Sequence, residues 1–256
     1  MQHVTASSSE VRNLKITISY DGKDLHGWQI QKNALTVQEC FQQAVFSVLG
    51  TTPDIKGCSR TDTGVHANMY VISMKTDHKI TCERLKAALN RYLPLSIVVN
   101  DVCEVDLDFH ARYSARGKRY VYKILNTECR DPFCNGYALH YRYPIDVDML
   151  NTAAQAYVGK HDFTSFCTLD KREKGDFTRT VKSFSVYREG KFVYMTVQAD
   201  GFLYNMVRIM VGTLLKIQQG KLSPDSIPDI INQQNRKAAG PTAPACGLYL
   251  DEVFYD

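Results

Sequence analysis

Stretches with two-residue periodicity and stretches with helical periodicity follow one another in the first half of the chain, and their order limits the fold most. Apolar residues at every second position predict strands, and apolar residues three or four positions apart predict helices. The predicted elements are, in order, a strand at 14–20, a helix at 37–48, a strand through Ile55, a strand ending near Met74, a helix at 82–92 and a strand at 97–105. The order β-α-β-β-α-β is typical of an α+β fold.

Local signals fix the ends of these helices. Thr36 and Glu39 have the spacing of a capping box, in which the Thr hydroxyl and the Glu side chain satisfy free backbone N–H groups. Gly50 follows the last apolar position of this helix and is the residue type that most often ends one. Pro94 ends the second helix, since proline has no N–H to continue it.

The second half also has a mixed pattern. Its predicted elements are a strand with Tyr120, Tyr122 and Ile124, a loop at 127–144, a helix at 147–158 capped by Asp146 and closed by Gly159, a hairpin of 181–187 with 192–198 around Glu189 and Gly190, an apolar helix at 202–217, a helix starting at Ser223, and a strand at 248–253. No low-complexity linker separates the halves. We therefore expect a tail at 1–10, an α+β lobe at 11–107 and a second α+β lobe at 108–256.

Composition favours a globular protein with a polyanionic partner. The chain has 256 residues, 44% of them hydrophobic, which is enough for a substantial core. Its net charge is only +4, but the basic residues cluster. The clusters are Arg112, Arg116, Lys118, Arg119 and Lys123, then Lys171, Arg172 and Lys174, then Arg236 and Lys237. One cluster is an ordinary solvated surface, whereas three together predict an RNA-binding groove.

The cysteines and the first residues predict a cytoplasmic protein. None of the eight cysteines forms a Cys-x-x-Cys pair or a zinc signature, so we expect reduced thiols and no bound metal. A disulfide between Cys129 and Cys134 stays open as an alternative. The first ten residues are polar, unlike a signal peptide, and no apolar run is long enough to span a membrane.

The segment Ser59–Ala67 is the strongest candidate for a functional site. It places Asp62 beside Arg60 in a short polar turn, directly before a strand with alternating apolar residues. Such a turn holds its side chains outside the core, within reach of a substrate. The alternative is that Asp62 and Thr61 only organise the turn through local hydrogen bonds to the backbone.

Arg208 is the expected partner of Asp62. It lies in an apolar segment, Phe202–Gly212, which predicts a buried helix. A buried arginine requires an acidic partner or several carbonyl acceptors, and a close arginine favours the charged form of a carboxylate. From residue types alone, Asp200 is an equally good partner for Arg208.

The order Arg60-Thr61-Asp62-x-Gly64-Val65-His66 resembles the active-site segment of the TruA family of tRNA pseudouridine synthases. The segment from Gly201 to Arg208 is similar to the helix of that family whose arginine pairs with the catalytic aspartate. Further similar segments extend over nearly all of residues 12–254, in the same order. The resemblance implies that Asp62 is the catalytic residue and that Arg208 pairs with it. It also implies that Tyr120 stacks on the uracil, that Arg60 fills the space the base leaves, and that Leu248 lines the uracil pocket.

The resemblance further implies a pseudouridine synthase fold with two similar α+β lobes, antiparallel sheets and a central basic cleft. It implies that the substrate is the anticodon stem-loop of tRNA at positions 38 to 40, and that the enzyme is a homodimer without cofactor, metal or membrane contact. Three alternatives remain: a family member that modifies another RNA site, a catalytically silent RNA-binding protein, and a metal-dependent hydrolase using Asp62 and His66. We expect His66 to be structural, because the isomerisation needs no imidazole.

Overall fold

The computed structural model describes residues 10–168 and 175–255. The predicted tail, apart from Glu10, and the cluster of Lys171, Arg172 and Lys174 therefore lie outside the described residues. The strands and α-helices are, in chain order, β1 (Arg12–Tyr20), α1 (Val37–Leu49), β2 (Ile55–Gly57), β3 (His66–Thr76), α2 (Cys82–Tyr92), β4 (Ile97–Val105), β5 (Gly117–Leu125), β6 (Leu139–His140), α3 (Val147–Ala154), β7 (Gly159–Asp162), β8 (Thr178–Glu189), β9 (Phe192–Ala199), α4 (Met206–Gln218), α5 (Ile227–Asn232) and β10 (Leu248–Phe254).

The described strands form one sheet with a mixed α+β arrangement. Its order is β4-β1-β3-β10-β5-β9-β8-β7, with β2 paired to β3 and β6 paired to β5. Most neighbours are antiparallel, as predicted, but β10 runs parallel to β3 and β6 runs parallel to β5. Strand β10 comes from the end of the chain and lies between β3 and β5, so it joins the two halves edge to edge. The division into lobes at residue 107 stays a prediction.

The first half confirms the predicted order of elements. The Thr36 hydroxyl accepts the Glu39 N–H at 3.3 Å at the start of α1. Gly50 ends α1 in the left-handed conformation, with φ of 70°. Leu93 is extended and leads into Pro94, which ends α2 as expected.

The start of α4 differs from the prediction. The apolar pattern predicts a helix from Phe202, whereas α4 begins at Met206. Asn205 adopts the left-handed conformation, with φ of 63°. A right-handed helix cannot pass through such a residue, so residues 201–203 are irregular and Tyr204 and Asn205 form a turn. Arg208 therefore lies in the first turn of α4, nearer to the helix end than predicted.

The region after α3 also differs from the prediction. Helix α3 ends at Ala154 and continues as one 3₁₀ turn to Tyr157, because Val158 is extended. Gly159, predicted to close the helix, instead opens β7 with φ of 119°. Strand β7 pairs with β8, a pairing that no alternation in its four residues predicts. Near the C-terminus, Ser223 begins a 3₁₀ turn and α5 starts only at Ile227.

Facing residues of β1 and β3 form a large part of the core. Leu14, Ile16 and Ile18 of β1 stand opposite Met74, Ile72 and Tyr70 of β3, and all six are fully buried. Burying a side chain of this size contributes about 1.5–3 kcal/mol. One apolar cluster runs from these residues to Tyr120 and Tyr122 of β5 and to α4. The catalytic candidates therefore stand on a continuous, closely packed base.

None of the helices within residues 10–168 and 175–255 combines the length and apolar character that a membrane-spanning helix requires. All eight cysteines are free thiols, and Cys129 and Cys134 are not bonded to each other.

Candidate active site

The turn that carries Asp62 is held by the loop between β1 and α1. The Val65 N–H donates to the Asp62 carbonyl at 3.1 Å and closes the turn, and the Trp28 N–H donates to the Thr61 carbonyl at 3.2 Å. Gly27, with φ of 78°, makes this approach possible, because a Cβ atom there would lie 2.3 Å from the Thr61 oxygen. The opening segment of the chain therefore positions the candidate catalytic turn.

Three buried tyrosines support the same turn from beneath. The Tyr20 hydroxyl lies 2.8 Å from Thr61 Oγ1, and the Tyr70 hydroxyl donates to the Ser59 carbonyl. The Tyr120 hydroxyl is hydrogen-bonded to the Ser59 side chain. Burial raises the pKa of all three phenols, so they stay neutral near pH 7. The turn is thus fixed by neutral hydrogen bonds, and Asp62 is the charged group above them.

Arg208 contacts Asp62 directly. Its Nη1 donates to Asp62 Oδ2 at 2.8 Å, across 146 positions of sequence. The arginine side chain is 17% exposed and the aspartate side chain 28%. Asp200, the alternative partner, instead accepts the Thr180 N–H at 3.0 Å. The predicted pairing of Arg208 with Asp62 is confirmed, and the carboxylate stays open to solvent on one side.

A close approach of two backbone segments orients Arg208. The segment 240–243 crosses α4 at Gly212, where a Cβ atom would lie 1.7 Å from the Pro241 carbonyl oxygen. Ala243 consequently lies beside Arg208. Its carbonyl accepts from Arg208 Nε at 2.7 Å, and its N–H donates to the Arg208 carbonyl at 3.0 Å. The guanidinium is held at Nε by the backbone and directed at Asp62 through Nη1.

Tyr120 and Leu248 lie on the sheet face that carries this site. Leu250 stands opposite Tyr120. Leu248 stands opposite Tyr122, which is the next pair on the same face of the sheet. Leu248 is therefore a diagonal neighbour of Tyr120. The Tyr120 ring is only 7% exposed, and the Phe202 ring contacts it edge-on at 5.0 Å. A base can stack on Tyr120 only when a neighbour such as Phe202 moves aside.

The predicted basic residues divide between different surroundings. Arg60 is exposed and has no hydrogen-bond or ion-pair partner among the residues the structure describes. Lys118 shares a face with Tyr120, and burial lowers its pKa. Arg119 points to the opposite face, where it pairs with Asp251 at 2.6 Å and with Glu252 at 2.6 Å. The sequence cluster at 112–123 therefore does not form one continuous basic surface.

His66 is buried on the opposite face from Tyr120. It is 2% exposed, stacks on Tyr249 at 4.6 Å, and accepts the Gly22 N–H at Nδ1. Its Nε2 lies 2.9 Å from the Gly136 carbonyl oxygen. This arrangement fits the neutral imidazole with its proton on Nε2. Nδ1 also lies 3.1 Å from Asp21 Oδ1, so both ring nitrogens have partners within the fold, in agreement with the expected structural role.

In the part of the chain that the structure describes, no three His, Cys, Asp or Glu side chains are placed to hold a metal ion.

The chain is similar to known proteins over most of its length. The tRNA pseudouridine synthase family matches residues 16–114 and 153–256. Proteins named tRNA pseudouridine synthase A are 46% identical in Acetivibrio thermocellus and 44% identical in Thermoanaerobacter sp., each over 96% of this chain and 100% of the relative. The relative of the same name in Moorella thermoacetica is 46% identical over 94% of this chain and 99% of its own.

The chain belongs to the TruA family of tRNA pseudouridine synthases. The family match includes Arg60, Asp62, Arg208 and Leu248 but leaves out residues 115–152, where Tyr120 lies. In this family member, Tyr120 is thus linked to the site by its hydrogen bond to Ser59 and by its place on the sheet.

Sequence reasoning missed three groups around the Asp62–Arg208 pair. Ser59 bonds two tyrosines, the Ala243 carbonyl holds Arg208 Nε, and the Asn205 side chain accepts from Arg208 Nη1. A backbone carbonyl leaves no sequence signal. Asn205 does leave one, since an asparagine directly before a helical pattern is a candidate helix boundary.

Proposed function

We propose that this protein converts uridine to pseudouridine in tRNA, with Asp62 as the catalytic carboxylate. The reaction breaks the N1–C1′ bond of the nucleoside, turns the uracil over and joins C5 to C1′. The C5 proton leaves to solvent and N1 gains a proton, so substrate and product are isomers. No oxidant, reductant or phosphate donor is consumed, and one carboxylate acting as nucleophile or base is sufficient.

The surroundings of the Asp62 carboxylate carry the proposal. Arg208 uses only Oδ2, while Oδ1 has no hydrogen-bond partner among the described residues. The guanidinium holds Oδ2 in place, and the free oxygen is available to the sugar of a nucleotide. A carboxylate that served only to organise the turn would direct its oxygens at nearby backbone N–H groups, which Asp62 does not do.

The remaining residues have proposed roles on the substrate side. Arg60, exposed and unpaired within the described residues, would occupy the space of the everted base and hold its phosphate. Tyr120 would stack on the uracil after Phe202 moves, and Leu248 would close the apolar side of the pocket. These roles follow from the family resemblance together with the shared face of Tyr120 and Leu248.

We also propose the anticodon stem-loop, positions 38 to 40, as the substrate region, and a cytoplasmic homodimer as the active form. The exposed ring of Tyr187 on β8 stacks at 5.3 Å on the half-buried ring of Tyr194 on β9, and this pair suits burial against a second copy. Light scattering of the purified protein tests the dimer separately from catalysis.

The decisive experiment measures tritium release from tRNA transcripts that carry C5-labelled uridine. The wild-type protein should release tritium with and without EDTA. Asp62→Asn should lower the rate by about 10⁴-fold or more while tRNA binding changes little. Asp200→Asn is the matched control, because Asp200 bonds only Thr180 among its described hydrogen-bond partners and should leave the rate within about twofold. A normal rate for Asp62→Asn contradicts the proposal.

Mapping pseudouridine in the product RNA then tests the substrate region. Modification confined to positions 38 to 40 supports the anticodon stem-loop. Modification elsewhere in tRNA keeps the chemistry and changes the site, as for a paralogue within the family. Tight tRNA binding without any pseudouridine identifies a silent RNA-binding protein instead.

A further inference from the structure

Asn205 has a conformation and a set of contacts that the reaction scheme above does not explain. It directly precedes α4 with φ of 63° and ψ of 6°. Only one other non-glycine residue in the described chain, Gln234, has a positive φ. Asparagine tolerates this region better than most residues, but the conformation still costs free energy and tends to occur at functional sites.

The Asn205 side chain does not cap the helix that it precedes. Asparagine is one of the strongest N-cap residues, because its side-chain oxygen normally accepts an N–H of the first turn. Here the side chain makes no such bond. Its Oδ1 accepts from Arg208 Nη1 at 2.8 Å, and its Nδ2 donates to Thr168 Oγ1 at 3.0 Å. The amide is thus turned away from the helix and towards the guanidinium.

These bonds leave the guanidinium little freedom. The Nη1 atom carries two hydrogens, of which one goes to Asp62 Oδ2 and the other to Asn205 Oδ1, both at 2.8 Å. The Ala243 carbonyl holds Nε at 2.7 Å. Three acceptors around one planar group fix both its position and its rotation. Without Asn205, the bond at Nε remains, but Nη1 can swing away from Asp62.

We infer that Asn205 is a positioning residue, which holds Arg208 in the orientation that places Nη1 on Asp62 Oδ2 and leaves Asp62 Oδ1 free for the substrate. This inference rests on the proposed function of Asp62. The Thr168 bond fixes the amide so that its oxygen, rather than its nitrogen, faces Arg208. The left-handed backbone at Asn205 ends the helical conformation there, and the side chain bonds Arg208 instead of an N–H of the first turn of α4.

The kinetic test uses Asn205→Gly, since glycine keeps the left-handed backbone and removes only the amide. We expect kcat to fall by about tenfold while KM for tRNA stays within about twofold, because Asn205 orients a catalytic group. The matched control is Gln234→Gly, the other left-handed position, which should leave kcat unchanged. A rise in KM with unchanged kcat, or an unchanged kcat and KM, overturns the inference.

A double-mutant cycle separates positioning from a general structural effect. If Asn205 acts only through Arg208, then Asn205→Gly should change single-turnover rates by less than about twofold in an Arg208→Lys background. An undiminished tenfold loss in that background overturns the inference, since Asn205 would then act without Arg208.

A third measurement does not depend on catalysis. Nitrogen-15 NMR of the arginine guanidinium groups reports how fast the Nη atoms rotate about the Cζ–Nη bonds. Rotation at Arg208 should be slow in the wild-type protein and at least about tenfold faster in Asn205→Gly, because one of two Nη1 acceptors is lost. Equal rotation rates in the two proteins overturn the inference, even if the wild-type protein forms no pseudouridine. Faster rotation in Asn205→Gly, combined with a wild-type protein that has no activity, supports the positioning role and rejects the proposed function.

Discussion

Asp62 and His66 lie four residues apart in one segment, yet the structure gives them opposite surroundings. Asp62 is 28% exposed, is paired with a single guanidinium, and keeps one oxygen unbonded by the described residues. His66 is 2% exposed, and both of its ring nitrogens have partners in the fold, namely the Gly22 N–H and the Asp21 carboxylate at Nδ1 and the Gly136 carbonyl at Nε2. One titratable group is therefore available for chemistry, and the other is closed.

The difference shows that a motif does not give every polar residue in it a reactive role. Strand β3 begins at His66, so this side chain falls on the face of the sheet that Tyr249 covers. Asp62 precedes the strand and stands in the turn, next to α4. Two side chains that could both act as an acid or a base are thus placed in different surroundings by the geometry of the strand. The proposed catalytic role of Asp62 and the structural role of His66 are therefore compatible with their places in the fold.

The largest expected effect tests the Asp62 side of the comparison. Arg208→Gln removes the charge that stabilises Asp62 while keeping a polar side chain of similar length. We expect kcat for pseudouridine formation to fall by about 10²–10³-fold, because a preorganised charged donor is lost from the site. Stability should fall by only about 1 kcal/mol, since the ion pair is partly exposed and its strength is reduced by solvent.

Tritium release and urea denaturation measure the two quantities for Arg208→Gln. Arg188→Gln is a suitable control, because Arg188 donates to Asn126 and to the Ile145 carbonyl, away from Asp62. Its kcat should match the wild type. A variant at Arg208 with a normal rate and a large loss of stability would reverse the assignment and make the pair structural.

The second prediction concerns His66, whose loss should affect stability strongly and the reaction rate little. His66→Ala leaves the Gly22 N–H and the Gly136 carbonyl without their partner and opens a void under Tyr249. We expect the free energy of unfolding to fall by about 2–4 kcal/mol. The rate of pseudouridine formation, measured at a temperature where the variant is folded, should stay within about threefold of the wild type.

His161→Ala provides the matched control for His66→Ala. The His161 ring also bonds a backbone carbonyl, at Val158, but from a more exposed position. Its removal should change stability by no more than about 0.5 kcal/mol. If His66→Ala instead kept its stability and lost its rate, His66 would belong to the active site and the comparison would fail.

Local features of the molecule are predictable from its sequence, whereas long-range contacts are not. The ends of α1 and α2 follow from Thr36, Gly50 and Pro94, because caps and prolines act locally. The parallel contact of β10 with β3 has no local cause, since it joins residues more than 180 positions apart. Sequence alone therefore describes the elements well and their neighbours poorly.

The candidate site also has one part that the sequence predicts and one part that it does not. The Asp62–Arg208 pair is predictable because a buried arginine needs an acid, and a family resemblance selects which one. The start of α4 is harder to predict, because apolar residues before Asn205 extend the helical pattern and outweigh the weak boundary signal of the asparagine, whose left-handed backbone ends the helix. The amide that holds Arg208 became visible only with that conformation.

The smallest expected effect is the pH dependence that His66 gives to stability. Burial lowers the pKa of His66, although the Gly136 carbonyl and Asp21 favour the charged form. The unfolded chain has the ordinary histidine pKa of about 6.5, so near and below that pH the unfolded state binds more protons than the folded state. The stability due to neutral His66 is therefore complete above pH 6.5 and decreases as the pH falls through 6.5 towards the folded pKa.

Urea denaturation between pH 8 and 5.5 should show a loss of unfolding free energy in the wild-type protein that His66→Gln lacks. Asp21, the carboxylate that contacts His66, does not titrate in this range. Burial raises the pKa of Asp21, but hydrogen bonds from the Lys23 N–H and the Tyr137 hydroxyl, together with the charges of His66 and Lys23, lower it to below its usual value. If the unfolding free energy of the two proteins changed equally with pH, His66 would be protonated as easily in the folded protein as in water. The closed environment assigned to His66 would then be wrong.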